Sequence, residues 1–423
     1  MLLTRVRAVG GLWLELIVIV ALVAVTAWTA ARMQQVTVTR YWDGDEYYVL
    51  TEQLAAFERP HAAAPFVYRL ATPWLVARLF PHDIVGGFTA INLGAAAATA
   101  ILLLVWLRRF VAERWARLLT VSLFVLEWHG PTRFVSYYPV YVDPLVFPCL
   151  VGGLILIDEI EARRGVADAH LLWALTALCL AGALCREVML VIPVALLFTA
   201  RRFDPRRLLP LASVAAVIVA TRLWAQPRIP FSWVETAFFH ISHKPAYTWV
   251  LAWFITFGPL LALVFYDWRR AWRTLGGRPY LAAYVLAFGT LAYIGGHDTE
   301  RYLFWSMPVV YLLIAQALVA HRRALDNTYL VTVLVLAQVV SARMLWSIPS
   351  PSLAVASLSE MPTPAAKIYS VLNRLFIIDD FHWNLWSNFG SRPFHALLLA
   401  IYLAFSAAMI GWIHLRATRT HAF

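Results

Sequence analysis

The chain has 423 residues, of which 61% are hydrophobic and 14% charged, with a formal net charge of +11 and a mean hydropathy of +0.68. Soluble domains run nearer half apolar and a quarter charged, so this composition excludes an ordinary soluble enzyme, a disordered chain and a disulfide-stapled secreted domain. Nucleic-acid binding is excluded as well. The 35 basic residues, all arginine except Lys244 and Lys367, sit in short clusters between apolar runs rather than along one polar face.

In chain order, the first apolar run, 11–31, is too long for a typical signal peptide and reads as an uncleaved first span. Eleven more follow, near 84–107, 117–129, 142–157, 170–184, 187–199, 208–224, 248–266, 280–295, 303–319, 328–346 and 395–415. The pattern predicts an all-α, polytopic transmembrane bundle of about 10–13 spans, forming a single domain over 1–423. Arginine clusters such as Arg108–Arg109, Arg201–Arg202, Arg206–Arg207, Arg269–Arg270 and Arg322–Arg323 fall in alternate connections. The positive-inside rule then puts both termini in the cytoplasm. The basic excess thus explains topology rather than a partner. Glu15, in the first span, is expected to pair with Arg5 or Arg7. Cys149, Cys179 and Cys185 form no CxxC pair and read as buried apolar groups.

The longest connections, 32–83, 225–247 and 347–394, all fall on the extracytoplasmic side, where chemistry is therefore expected. The densest signal is Arg40-Tyr41-Trp42-Asp43-Gly44-Asp45-Glu46-Tyr47-Tyr48. Tyr47, Leu50, Leu54 and Phe57 then recur at helical spacing, predicting a surface helix, and a second is expected around Pro65–Trp74. Asp43-Gly44 is a turn dipeptide and Asp45 a good N-cap, but capping uses one carboxylate of three. Clustered carboxylates beside the bilayer suit group transfer to a hydroxyl. One acts as general base, while its partners hold a divalent ion such as Mg2+ or Mn2+ or bind the acceptor.

Further outer-side candidates are Asp143, before Pro144, and Arg186-Glu187, between two short apolar runs. Asp143 is either an N-cap or a paired site carboxylate, and Arg186-Glu187 either a surface turn or a cavity-lining break. His297, Asp298 and Arg301 form a loop in which Arg301 either clamps a phosphate or pairs with Asp298. Asp379, Asp380 and His382 lie in the last outer loop, where a solvated loop is the simpler account. Walker-type, HExxH and serine nucleophile-elbow motifs are absent from the sequence.

These features together resemble the GT-C superfamily of integral-membrane glycosyltransferases. The resemblance rests on the acidic Asp43–Tyr48 motif after the first span, the Pro65-Phe66-Val67-Tyr68-Arg69-Leu70 stretch, the short runs around Arg186-Glu187, and the Asp298–Arg301 spacing. It implies inverting transfer of a sugar from a polyprenyl-phosphate donor to an extracytoplasmic glycolipid or cell-envelope glycan. It also implies Asp45 as first choice for the base and Asp43 as second, with Glu46 beside them, and Tyr48, Arg69 and Arg301 among the substrate-binding groups. Two rivals remain: an O-antigen-polymerase-like enzyme, and a secondary transporter or lipid flippase. Transporters carry their ionisable residues near the midplane of repeated halves; here they gather at outer helix ends and no repeat is visible.

Overall fold

The computed structural model describes residues 2–33, 43–163, 169–199, 204–296, 298–342 and 392–420. These form α-helices and short 3-10 turns, and among the described residues there is no strand. Four helices are long and apolar enough to cross a membrane: Gly11–Arg32, Ile84–Leu107, Pro205–Trp224 and His395–Arg416. Large apolar side chains stand exposed along them, including Trp13, Ile17, Leu223 and Ile401. Surface of that kind and extent points to a lipid environment rather than water.

The helices divide into two compact units. The first holds α1 (Leu2–Met33), α2 (Asp43–Ala55), α3 (Ala71–Leu79), α4 (Ile84–Leu107), α5 (Arg114–Leu126), α6 (Pro131–Tyr137), α7 (Asp143–Ala162), α8 (Ala169–Cys185), α9 (Val191–Leu197) and α10 (Leu209–Trp224). Its spine is α4 against α7, α7 against α8, and α8 against α10. Polar residues set the helix starts. Asp83 accepts from Gly86 N at 2.9 Å and caps α4, and Asp204 accepts from Arg206 N at 3.0 Å ahead of α10. Gly87 in α4 packs where a Cβ would collide with Phe80 and Val76, so α3 and α4 meet closely there.

Glu15 is buried in α1; the side chains of Arg5 and Arg7, its expected partners, lie outside those described. Arg117 of α5 donates to it at 2.6 Å, with Arg114 and Arg108 at 3.7 and 3.8 Å. The α4–α5 corner lies beside α1, so residues about a hundred positions away supply the neutralising charge.

The second unit holds α11 (Trp233–His243), α12 (Ala246–Phe257), α13 (Leu261–Tyr266), α14 (Trp268–Gly277), α15 (Pro279–Ile294), α16 (Thr299–Phe304), α17 (Met307–Ala320), α18 (Arg322–Leu325), α19 (Thr328–Ser341) and α20 (Arg392–Thr420). The apolar run 248–266 is two helices rather than one. Gly258, at φ +71°, and Pro259 break it, because neither left-handed backbone nor a missing amide continues a helix. Gln338 of α19 covers the break, its Nε2 donating to Phe257 O at 3.3 Å.

Candidate active site

The acidic motif opens α2, with Asp43, Asp45 and Glu46 in its first turn, where the positive end of the helix dipole favours them. Tyr47, Leu50 and Leu54 form the buried stripe, as the spacing predicts. Phe57 leaves it: the helix ends at Ala55, and Phe57 adopts φ +61° with its ring exposed under the Arg78 guanidinium. The second expected helix starts later than Pro65. A 3-10 turn, Phe66–Tyr68, comes first and α3 begins at Ala71.

Helical geometry divides the carboxylates. Asp43 lies one turn before Tyr47, on the same face. Asp45 projects from the exposed side. Glu46 is engaged twice: it accepts from Ala63 N at 2.6 Å and pairs with Arg228 at 2.5 Å. These contacts fasten α2 to two extended segments lying side by side, where Gln226 N donates to Pro60 O, Arg228 N to Ala62 O and Ala64 N to Ile229 O. Gly44 N donates to the Tyr138 hydroxyl, joining the start of α2 to the α6–α7 connection. Tyr48 packs beside the Tyr47–Val76–Phe88 cluster.

Arg69 follows the 3-10 turn and is buried. Its Nη1 donates to the Tyr47 hydroxyl at 2.8 Å, while Nη2 and Nε reach the two Glu187 oxygens at 2.9 and 3.3 Å. That fork is the geometry a guanidinium makes with a carboxylate and an ammonium does not. Glu187 heads a 3-10 turn where Arg186, in extended conformation, interrupts the run between α8 and α9. Arg186 Nη1 donates to Asp143 Oδ1, and both side chains are buried. Asp143 is the first residue of α7 rather than its cap, which is Val142. Asn92 holds the preceding backbone, donating to Pro139 O and Tyr141 O at 2.9 and 3.0 Å.

Tyr47 stands at the centre. Burial pushes its phenol up to about 12, against the pull of Arg69 and Arg186, with Asp43 and Asp143 pushing the same way as burial. Two guanidinia and two carboxylates therefore act on one hydroxyl, and Glu187 joins through Arg69. The structure gathers Asp43, Arg69, Asp143, Arg186 and Glu187, from four separate stretches of chain. Sequence reasoning treated Tyr47 as part of an apolar stripe and passed over Tyr138 and Arg228. The one available signal was the i,i+4 spacing of Asp43 and Tyr47.

In the second unit, Arg301 pairs with Asp298 at 2.7 Å, one turn apart. His297 lies outside the described residues, as do Asp379, Asp380 and His382. Lys244, between α11 and α12, is a buried cation the sequence did not single out. Its Nζ donates to Ala292 O, Gly296 O and Thr299 Oγ1 at 2.7–3.0 Å. Burial pushes its ammonium down to about 8, against the pull of Glu300 and Asp298.

Among the described residues no three His, Cys, Asp or Glu side chains are grouped to hold a metal ion. Glu46, Asp143 and Glu187 are instead each held by a guanidinium. These three carboxylates, already paired, do not fit a divalent ion, and the chemistry proposed below uses protein groups alone. No protein-family model matches the chain, and no curated protein matches it in sequence.

Proposed function

We propose that this membrane protein is a glycosyltransferase. It moves a sugar from a polyprenyl-phosphate donor to an extracytoplasmic glycolipid or cell-envelope glycan, inverting the anomeric carbon. The supporting observation is the network around Tyr47: carboxylates for the acceptor and guanidinia for a phosphate, assembled at the first turn of α2. Asp43, on the Tyr47 face, is the base. It takes the acceptor proton as the acceptor oxygen bonds to the anomeric carbon and the bond from that carbon to the phosphate oxygen breaks. Arg69 and Arg186 stabilise the charge that grows on the departing phosphate. Tyr47 stays protonated at physiological pH; its oxygen accepts from Arg69, so its own proton is left to donate. Glu46 positions α2 through Ala63 and Arg228 and takes no part in proton transfer.

In this proposal about 10–13 helices span a bacterial plasma membrane, α2 and α3 lie at its outer boundary, and both termini are cytoplasmic. A transporter or flippase is the second reading. Its support is that Asp143 and Glu187 are each neutralised by an arginine, an arrangement that also suits an ion-coupled pathway. Purified full-length protein in detergent, given a radiolabelled polyprenyl-phosphate sugar and a membrane glycolipid extract, is expected to form a covalent glycosylated product. Movement of the labelled lipid across sealed vesicles without covalent product would replace the first reading with the second.

A further inference from the structure

The segment Trp268-Arg269-Arg270-Ala271-Trp272-Arg273 forms the first part of α14, in the second unit. At about 100° per residue, Trp268 and Trp272 share one face, and Arg269 and Arg273 share the next. Thr274 lies on a third face and anchors the helix to α17, its hydroxyl donating to Gln316 Oε1 at 2.9 Å. Trp268 and Trp272 are 60% and 70% exposed. Such exposure is costly in water and normal for indoles at a membrane boundary.

The charges beside them are unbalanced. Arg270 is taken by Asp267 at 2.7 Å. Arg269 and Arg273 are exposed and have no acidic partner among the described residues; the Arg269 guanidinium rests over the Trp268 ring, 5.7 Å from its centroid. His321 approaches Asp267 at 3.6 Å, which brings the start of α18, with exposed Arg322 and Arg323, to the same end of α14. Indoles on one side and guanidinia on the next make a surface that seats acyl chains and phosphates together.

We propose that α14, with Arg322 and Arg323, is a binding site for the headgroup of an anionic phospholipid. Its tryptophans enter the acyl boundary, and Arg269 and Arg273 hold the phosphate. The site is independent of the network around Tyr47 and of the transfer reaction.

The test uses the full chain in mixed micelles with brominated lipids, which quench nearby tryptophan. The contribution of Trp268 and Trp272 is the difference between the protein and its W268F/W272F variant. That contribution is expected to be quenched more strongly by brominated phosphatidylglycerol than by brominated phosphatidylcholine. R273Q should reduce the preference by roughly fivefold, the effect of one arginine near a charged surface, and R273K should retain most of it. Soluble glycerol phosphate at the same concentration should not compete. Equal quenching by the two lipids in the unsubstituted protein would overturn the proposal even if R273Q failed to fold. An unchanged preference in folded R273Q, or full competition by glycerol phosphate, would overturn it as well.

Discussion

The Arg69–Glu187 fork ties the first outer loop to the α8–α9 break, and a double-mutant cycle should expose its energy. At 2.9 Å the gross attraction is about 6 kcal/mol for an effective dielectric near 20. Desolvation removes much of that, because the Arg69 side chain is 3% exposed and that of Glu187 20%. Removing one partner strands the other charge. Glu187→Gln is therefore expected to cost about 3 kcal/mol, the low end for a buried pair because Glu187 keeps some water. Arg69→Met should cost at least as much, since the Tyr47 hydroxyl also loses its donor. The double variant R69M/E187Q should cost far less than the two singles combined, giving a coupling of about 2 kcal/mol or more. Equilibrium unfolding in mixed micelles measures all three. A coupling below about 0.5 kcal/mol, the scale of a surface pair, would show that the fork does not hold these segments together.

Two further outcomes test the second unit. Lys244 has its folded pKa lowered to about 8, below the ordinary lysine value near 10.4. Between those values the unfolded chain binds more protons, so stability should rise as pH increases from 8 to 10. Lys244→Met should flatten that slope, and a slope of opposite sign in the unsubstituted protein would contradict the assignment. Gly258→Ala should destabilise by roughly 2–3 kcal/mol. Left-handed backbone disfavours a Cβ, and the added carbon would overlap the Gln338 amide. Thermal unfolding unchanged in that variant would show that the α12–α13 break tolerates a side chain.

Local patterns carried much of the architecture. Runs such as 84–107 and 280–295 are α-helices within a residue or two of their hydrophobic limits, because length, apolarity and caps such as Asp83 and Asn327 act locally. The break at Arg186-Glu187 was legible because two charges interrupt an apolar stretch. The break at Gly258-Pro259 was passed over in a run read as one span. Partner choice was far less accessible. That Glu15 meets Arg117, Glu46 meets Arg228 and Asp143 meets Arg186 depends on tertiary packing over 43 to 182 positions, which no spacing rule encodes. The same holds for the site. Its residue types were visible, but the division of Asp43, facing Tyr47, from Asp45, facing outward, appears only once α2 is docked.

The central claim is that Asp43 serves the reaction from the Tyr47 network. Sugar transfer by purified full-length protein, compared for the unsubstituted chain, Asp43→Asn and Asp45→Asn, tests it most directly. Asp43→Asn is expected to lose about 100-fold or more, the scale of a missing general base, with unfolding behaviour preserved and Asp45→Asn within a few-fold of normal. Near-normal transfer by a folded Asp43→Asn protein would contradict it.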